Sequence, residues 1–290
     1  MTEKPYIYFC ADDFGITGFS CDKIADCVRE GCLNKVSVLP NSELDDIEKR
    51  TGEIGQVHLS VHLNLVEGRC VGKRQNLGLL TDSDGYFKNT FIGLLTKSVF
   101  HRVHFKEQVK YELREQIKKA IALMPCGTPL FLDSHQHTHM IPAVFAALCE
   151  VIEEDGLEVG YIRIPAEPVL PFLRTPSSWG SFFSVNFIKQ RVLHFCFLFD
   201  KGKLERNKYP YACFFGILFS GDMNEKRVKK VLPQFIRYAK SKKTDLEVLF
   251  HPGYISESDE TEYFRDIKFK DFYLSPGRKR EYEAAKALKK

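Results

Sequence analysis

Short apolar runs alternate along this chain with longer stretches whose apolar residues recur at helical spacing. The runs at 6–11, 36–39, 57–65, 130–132, 161–164, 212–219 and 246–250 predict seven β-strands. The stretches 23–30, 106–123, 143–154, 225–241 and 278–288 predict helices. At 23–30, for instance, Ile24, Cys27 and Val28 lie on one side and polar residues on the other. Strand and helix in alternation imply parallel pairing with helices outside. In 290 residues this fits one α/β domain over 1–290, a (β/α) barrel, imperfectly closed, better than two domains. An open doubly wound sheet is the alternative. Its phosphate-binding G-x-G-x-x-G after the first strand is missing, as is a Walker loop.

Two segments read as long loops, 67–93 and the Trp179-bearing 165–184. Both follow strand ends, where a barrel builds its pocket. Residues 182–199 are Phe-rich but interrupted by Asn186, Lys189, Gln190, Arg191 and His194, so no transmembrane segment is predicted. The stretch reads as a helix buried on one face or as a homodimer interface; the sharper alternative is an interfacial membrane helix.

Composition adds little to this. A net charge of +4 is too mild to imply nucleic acid, and the basic tail 278–290 reads as a solvated helical face. Nine cysteines, an odd number with no C-x-x-C, and no signal-peptide pattern at the N-terminus favour a cytoplasmic protein with free, mostly buried thiols. The ligand spacing of a cysteine metal cluster is missing.

The chemistry-bearing residues stand at strand ends. Asp12 and Asp13 close the first strand; two adjacent carboxylates are costly to bury without a cation or proton. Spacing does not choose between them, and a plain helix-capping turn is the bland reading. His58, His62 and Asn64 share strand parity, and His62 is nearer the C-terminal end. Asp133, His135, His137 and His139 again share parity, but on an extended strand one ion cannot take all three imidazoles; His135 at the strand end is the expected ligand. His251 precedes Pro252-Gly253 and fits a ligand, a general acid or a turn residue. Two imidazoles and one carboxylate leave open positions on a divalent ion, as catalytic rather than structural sites do. No G-x-S-x-G elbow occurs, and no cysteine has an obvious histidine partner, which disfavours covalent catalysis.

Ala11-Asp12-Asp13-Phe14-Gly15, Val61-His62-Leu63-Asn64-Leu65, Asp133-Ser134-His135-Gln136-His137-Thr138-His139, Ile162-Arg163-Ile164-Pro165 and Phe250-His251-Pro252-Gly253 occur in that order. With them the chain resembles the YdjC-like carbohydrate deacetylases of the chitooligosaccharide deacetylase type, almost end to end. The resemblance implies a TIM-barrel-related fold and hydrolysis of the acetamide of an N-acetylated sugar or oligosaccharide. It implies one divalent metal on Asp13, His62 and His135, often magnesium in the family, with Asp12 as general base and His251 as general acid. The ligand chemistry by itself favours Zn2+ or a similar transition metal over Mg2+. The alternatives are an O-acetyl esterase or a non-catalytic sugar-binding protein on the same scaffold. Ser60-Val61 departs from the family's pattern, and 182–215 matches it poorly, so the substrate is less defined than the reaction.

Overall fold

The computed structural model describes residues 4–124, 127–259, 263 and 267–289. Residues 1–3 and Cys126 lie outside that set. All seven expected strands are present: β1 (Ile7–Phe14), β2 (Lys35–Val38), β3 (His58–Leu63), β4 (Leu130–Ser134), β5 (Val159–Ile162), β6 (Cys213–Phe215) and β7 (Leu246–Phe250). They form one parallel sheet in the order β5-β4-β3-β2-β1-β7-β6. The sheet is curled, because residues far apart in that order touch across its hollow. Arg163, just past β5, grips Asp12 on β1, and the Tyr161 hydroxyl on β5 reaches Glu247 on β7. Among the described residues the ends do not pair as strands; one backbone bond, Ile162 N–H to Pro210 C=O at 2.8 Å, bridges the gap. The expected imperfect barrel is what forms.

The outward side chains pack under the helices as two apolar clusters. Val61, Leu63, Leu130, Leu132 and Ile162 lie in one, with helices α4 (Arg102–Ile121) and α5 (Pro142–Glu154). Phe9, Ala11, Val36, Val38 and Val248 lie in the other, with α1 (Gly18–Glu30) and the strongly amphipathic α8 (Glu225–Lys242). Burial of this apolar area drives folding. The inward side chains stack in layers along the barrel axis. Tyr8, His58, Phe131 and Tyr161 make an aromatic floor, with His58 stacked on Phe131 at 5.1 Å. Above it lie Cys10, Lys35, Ser37 and Glu247, all fully buried. His58 is thus a floor residue, as its depth along the strand requires.

Three expectations need correction. The run at 212–219 stops being a strand at Phe215. There the amides of Gly216, Ile217 and Leu218 turn onto the buried Glu167 carboxylate at 2.7–3.0 Å, leaving the ladder. The span 165–184 is not plain loop; it holds helix α6 (Leu170–Leu173) and a 3-10 stretch (Pro176–Phe183). The basic tail is only in part a solvated face: Lys279, Arg280 and Lys289 are exposed, but the other side is docked. In helix α10 (Pro276–Ala287), Arg278, Glu281, Ala284 and Ala285 are buried, and Gly277 lies so close to the Gly221 carbonyl that a Cβ there would collide with it. The Phe-rich stretch belongs to helix α7 (Val185–Asn207), which buries one side while many of its large apolar residues face solvent. Among the described residues eight cysteines are free, six of them buried, in line with the expected thiols. No helix among them is long and apolar enough to cross a membrane.

Candidate metal and active site

The mouth of the barrel lies at the C-terminal ends of the strands. Alternation along β1 would send Asp12 inward and Asp13 outward. Instead the β1–β2 register shifts between Ala11 and Phe14, and Asp13 adopts φ 69°, a left-handed conformation that is uncommon outside glycine. Both carboxylates therefore enter the mouth. Asp12 is gripped by both arms of the Arg163 fork, at 2.7 and 2.8 Å. Asp13 receives Arg278 from α10 at 2.7 Å and the His135 imidazole at 2.9 Å.

His62 on β3 pairs in register with Asp133 on β4, and its Nδ1 sits 2.7 Å from Asp133 Oδ1. That contact fixes the ring and turns Nε2 to the mouth. There Nε2 has no well-formed hydrogen bond, with Asp13 Oδ1 at 3.4 Å and Asp12 Oδ2 at 3.9 Å. His135 follows β4, after which Gln136 and His137 take consecutive left-handed conformations, φ 51° and 56°. This bend defeats the spacing of an extended strand. His135 reaches Asp13, whereas His139 swings back to Ser134 at 2.6 Å and the Arg163 carbonyl at 2.8 Å and serves the scaffold. His137 touches Phe214 edge-on, with its Nδ1 buried and without a hydrogen bond. Asp13, His62 and His135 each bring one donor atom within 4.8 Å of the other two, all buried. His251 leaves β7 beside Asp12, since Ala11 pairs with Phe250. Its amide donates to Glu281 at 2.6 Å.

Further residues complete the site; Asn64 and Arg163 belong to the family-like segments of the sequence, the others to none of them. Glu67 lies buried at the start of the 67–93 loop, with Oε1 2.8 Å from His135 Nε2 and accepting from the Gln136 side-chain Nε2 at 3.0 Å, and with Oε2 unpartnered. Asn64 holds that loop: its Oδ1 accepts the Val66 and Glu67 amides, and its Nδ2 donates to the Glu67 carbonyl and the Tyr263 hydroxyl. Gln116 and Glu112, polar residues buried on α4, bracket the same loop through Asn64, Val71 and Gly72. Beneath the mouth, Arg163 also meets Glu247 and Asp133, while Lys35 meets both. The Tyr161 hydroxyl donates to Glu247. Arg163 and Glu247 were detectable as charges standing inside the apolar runs 161–164 and 246–250; Lys35, one residue before the run at 36–39, and Glu67 left no such signal.

The electrostatics follow from this census. Asp12, Asp13, Glu67, Asp133 and Glu247 face three fixed cations, Lys35, Arg163 and Arg278, leaving two negative charges buried. Burial opposes ionisation of Asp12, but Arg163 overrides it and holds the carboxyl at about 2. Asp13 is likewise held well below the usual range, against burial, by Arg278 and His135. Burial should depress both imidazoles, yet Asp12, Asp13 and Asp133 raise His62 to about 9, and Glu67 and Asp13 raise His135 to about 10. Two imidazoliums thus supply the charge that one divalent cation would supply. The orphaned His62 Nε2 and the convergent donors fit such an ion.

A family model described as YdjC-like protein matches residues 6–287. A Danio rerio protein named carbohydrate deacetylase is 32% identical over 174 residues, 58% of this chain and 52% of that protein. The chain thus spans about half the length of that relative. A carbohydrate deacetylase of Thermoanaerobacter pseudethanolicus is 25% identical over 71% of this chain and 80% of its own length. A chitooligosaccharide deacetylase of Salmonella typhimurium is 27% identical over 65% and 71%. A crystal structure from Enterococcus faecalis, provisionally named a cellobiose-phosphate cleavage protein, superimposes with a TM-score of 0.63 at 17% identity. It covers 99% of this chain and 97% of its own, a likeness of fold.

Proposed function

The chain belongs to the YdjC-like protein family, and from that premise we propose that it is a metal-dependent carbohydrate deacetylase, hydrolysing the acetamide of an N-acetylated sugar. The observation that carries this reading is the buried Asp13, His62 and His135 triad with a separate ionised carboxylate, Asp12, beside it. Asp13, His62 and His135 would hold one divalent cation. When bound, that cation polarises the amide carbonyl and acidifies water. Two imidazoles and a carboxylate suit zinc or a similar transition ion better than magnesium.

The remaining work falls to the chain's own residues. Asp12, kept ionised and oriented by the Arg163 fork, takes a proton from the attacking water. Its low proton affinity means that the proton does not rest there but passes to solvent at the mouth, from which His251 regains the one it gives up. His251, its amide fixed by Glu281 and its side chain partly open to solvent, gives a proton to the departing nitrogen. Asp133 holds the His62 ring, and Glu67 holds His135.

The test is acetate release from N-acetylglucosamine, diacetylchitobiose and longer chitooligosaccharides, beside O-acetylated sugars. The metal-stripped chain is reloaded in turn with zinc, magnesium, manganese or cobalt. Asp12→Asn should abolish turnover and keep the metal, whereas His62→Ala or His135→Ala should lose the metal. Equal metal loss in Asp12→Asn would overturn the assigned roles. Release from O-acetyl sugars alone would make the chain an esterase. Tight sugar binding without release in any metal would make it a binding protein.

A further inference from the structure

Helix α7 turns an apolar stripe to solvent. Val185, Ile188, Val192, Phe195 and Phe199 recur at alternating steps of three and four, with Leu198 beside them, and all six are exposed. Such spacing draws one line along a helix, here about 21 Å long at 1.5 Å per residue. The opposite side of α7 is its seat in the fold, with Gln190, Leu193, Cys196, Asp200 and Leu204 buried. Docking the helix on the barrel has therefore left the stripe uncovered. The 3-10 stretch before it adds Trp179, half exposed, and Phe183, 95% exposed. That stretch is tied to the helix by Phe182 packing on Phe187 at 5.2 Å. A contiguous apolar surface of this kind marks a contact site.

The surrounding charge says what kind. Over Val185–Asn207 there are five cations; Lys201 pairs with Glu205 at 3.6 Å and Lys203 with Asp200 at 3.3 Å, which leaves Lys189, Arg191 and Arg206 as a net excess of three positive charges. Near Trp179, a cavity of about 300 Å³ is lined by Ser177, Ser178, Lys226, Arg227 and Lys230; Arg227 is paired with Asp222 at 2.8 Å, so it is Lys226 and Lys230 that extend the positive rim onto α8. A second copy of the chain would bring the same sign to the seam, so charge opposes self-pairing. Phe, Leu and Trp on one face with Lys and Arg at its margins are the composition of a helix lying in a lipid interface. We propose that α7, headed by Trp179 and Phe183, docks the protein on an anionic lipid surface, lying along it without crossing.

The test is co-sedimentation of the full chain with vesicles of phosphatidylcholine alone and of phosphatidylcholine with phosphatidylglycerol. Binding is expected to the anionic vesicles and to weaken as salt rises. Phe183→Ser with Phe195→Ser should abolish it; both side chains are exposed, and an unchanged circular dichroism spectrum would show the fold intact. Lys189→Glu with Lys230→Glu should weaken it by on the order of tenfold or more, given about 1 kcal/mol per cation near such a surface. No binding by the unmodified chain, or equal binding by the serine variant, would overturn the proposal. So would a dimer in sedimentation velocity that Phe195→Ser splits, which would assign the stripe to a second copy.

Discussion

Replacing Asn64 by alanine should cost this protein a large share of its stability although the residue is small and polar. The side chain accepts from the Val66 and Glu67 amides at 2.9 and 3.1 Å and donates to the Tyr263 hydroxyl at 2.8 Å and the Glu67 carbonyl at 2.8 Å. The Glu67 carbonyl keeps a second partner in the Asn41 amide. Alanine would thus strand two buried backbone donors, the Val66 and Glu67 amides, whereas the Tyr263 hydroxyl keeps Asn41. At about 1–3 kcal/mol for each of these two stranded groups, the expected loss is about 2–5 kcal/mol. For a domain whose whole stability is about 5–15 kcal/mol, that is a severe change. Urea unfolding followed by circular dichroism measures it, with the midpoint falling and the slope unchanged. Because Glu67 hangs from this loop, metal affinity should fall with the stability. A loss below about 1 kcal/mol would refute the reasoning, for it would mean that water replaces the amide in full.

Two further changes probe the buried charges. Asp200 is pushed up to about 7, chiefly by burial and against the pull of Lys203, so its charge destabilises the folded state. Asp200→Asn should stabilise by about 2–4 kcal/mol above pH 7, where the folded wild type carries that charge. The gain should fade as pH falls from 7 toward 3.8, the range where the folded group is protonated and the unfolded one is not; a gain that does not change with pH would contradict this. Glu247→Gln removes the carboxylate shared by Lys35, Arg163 and Tyr161 and should cost about 3–5 kcal/mol, as breaking a buried pair does. Its melting temperature should fall by on the order of 10 °C, and a fall under about 2 °C would count against that network.

The strands were legible because the hydrophobic pattern is regular and local, and His62, His135 and the two aspartates stood out at strand ends. The choice between Asp12 and Asp13 was not legible, since it depends on a left-handed turn at Asp13 that no residue type announces. The supporting charges were hidden for a different reason. Lys35 meets Glu247 212 positions away, and Arg278 meets Asp13 265 positions away, so each looked like a lone surface residue. Glu67 lay in a segment read only as a loop, and its place near the imidazole depends on Asn64, Gln116 and Glu112. The apolar run at 212–219 misled because a distant carboxylate, Glu167, captures its amides. Pattern reports which face is apolar; it does not report where a long-range partner interrupts the ladder.

The incomplete closure of the barrel has its own consequence for how copies of this chain behave together. A parallel sheet with two ends ordinarily presents two rows of unused amides and carbonyls, an invitation to strand addition and aggregation. Here the end strands are only four and three residues long. Curling turns them toward one another, and the residue that bridges them, Pro210, has no amide of its own to offer a newcomer. The seam that keeps this sheet from being a full barrel also keeps it from templating the sheet of a neighbour.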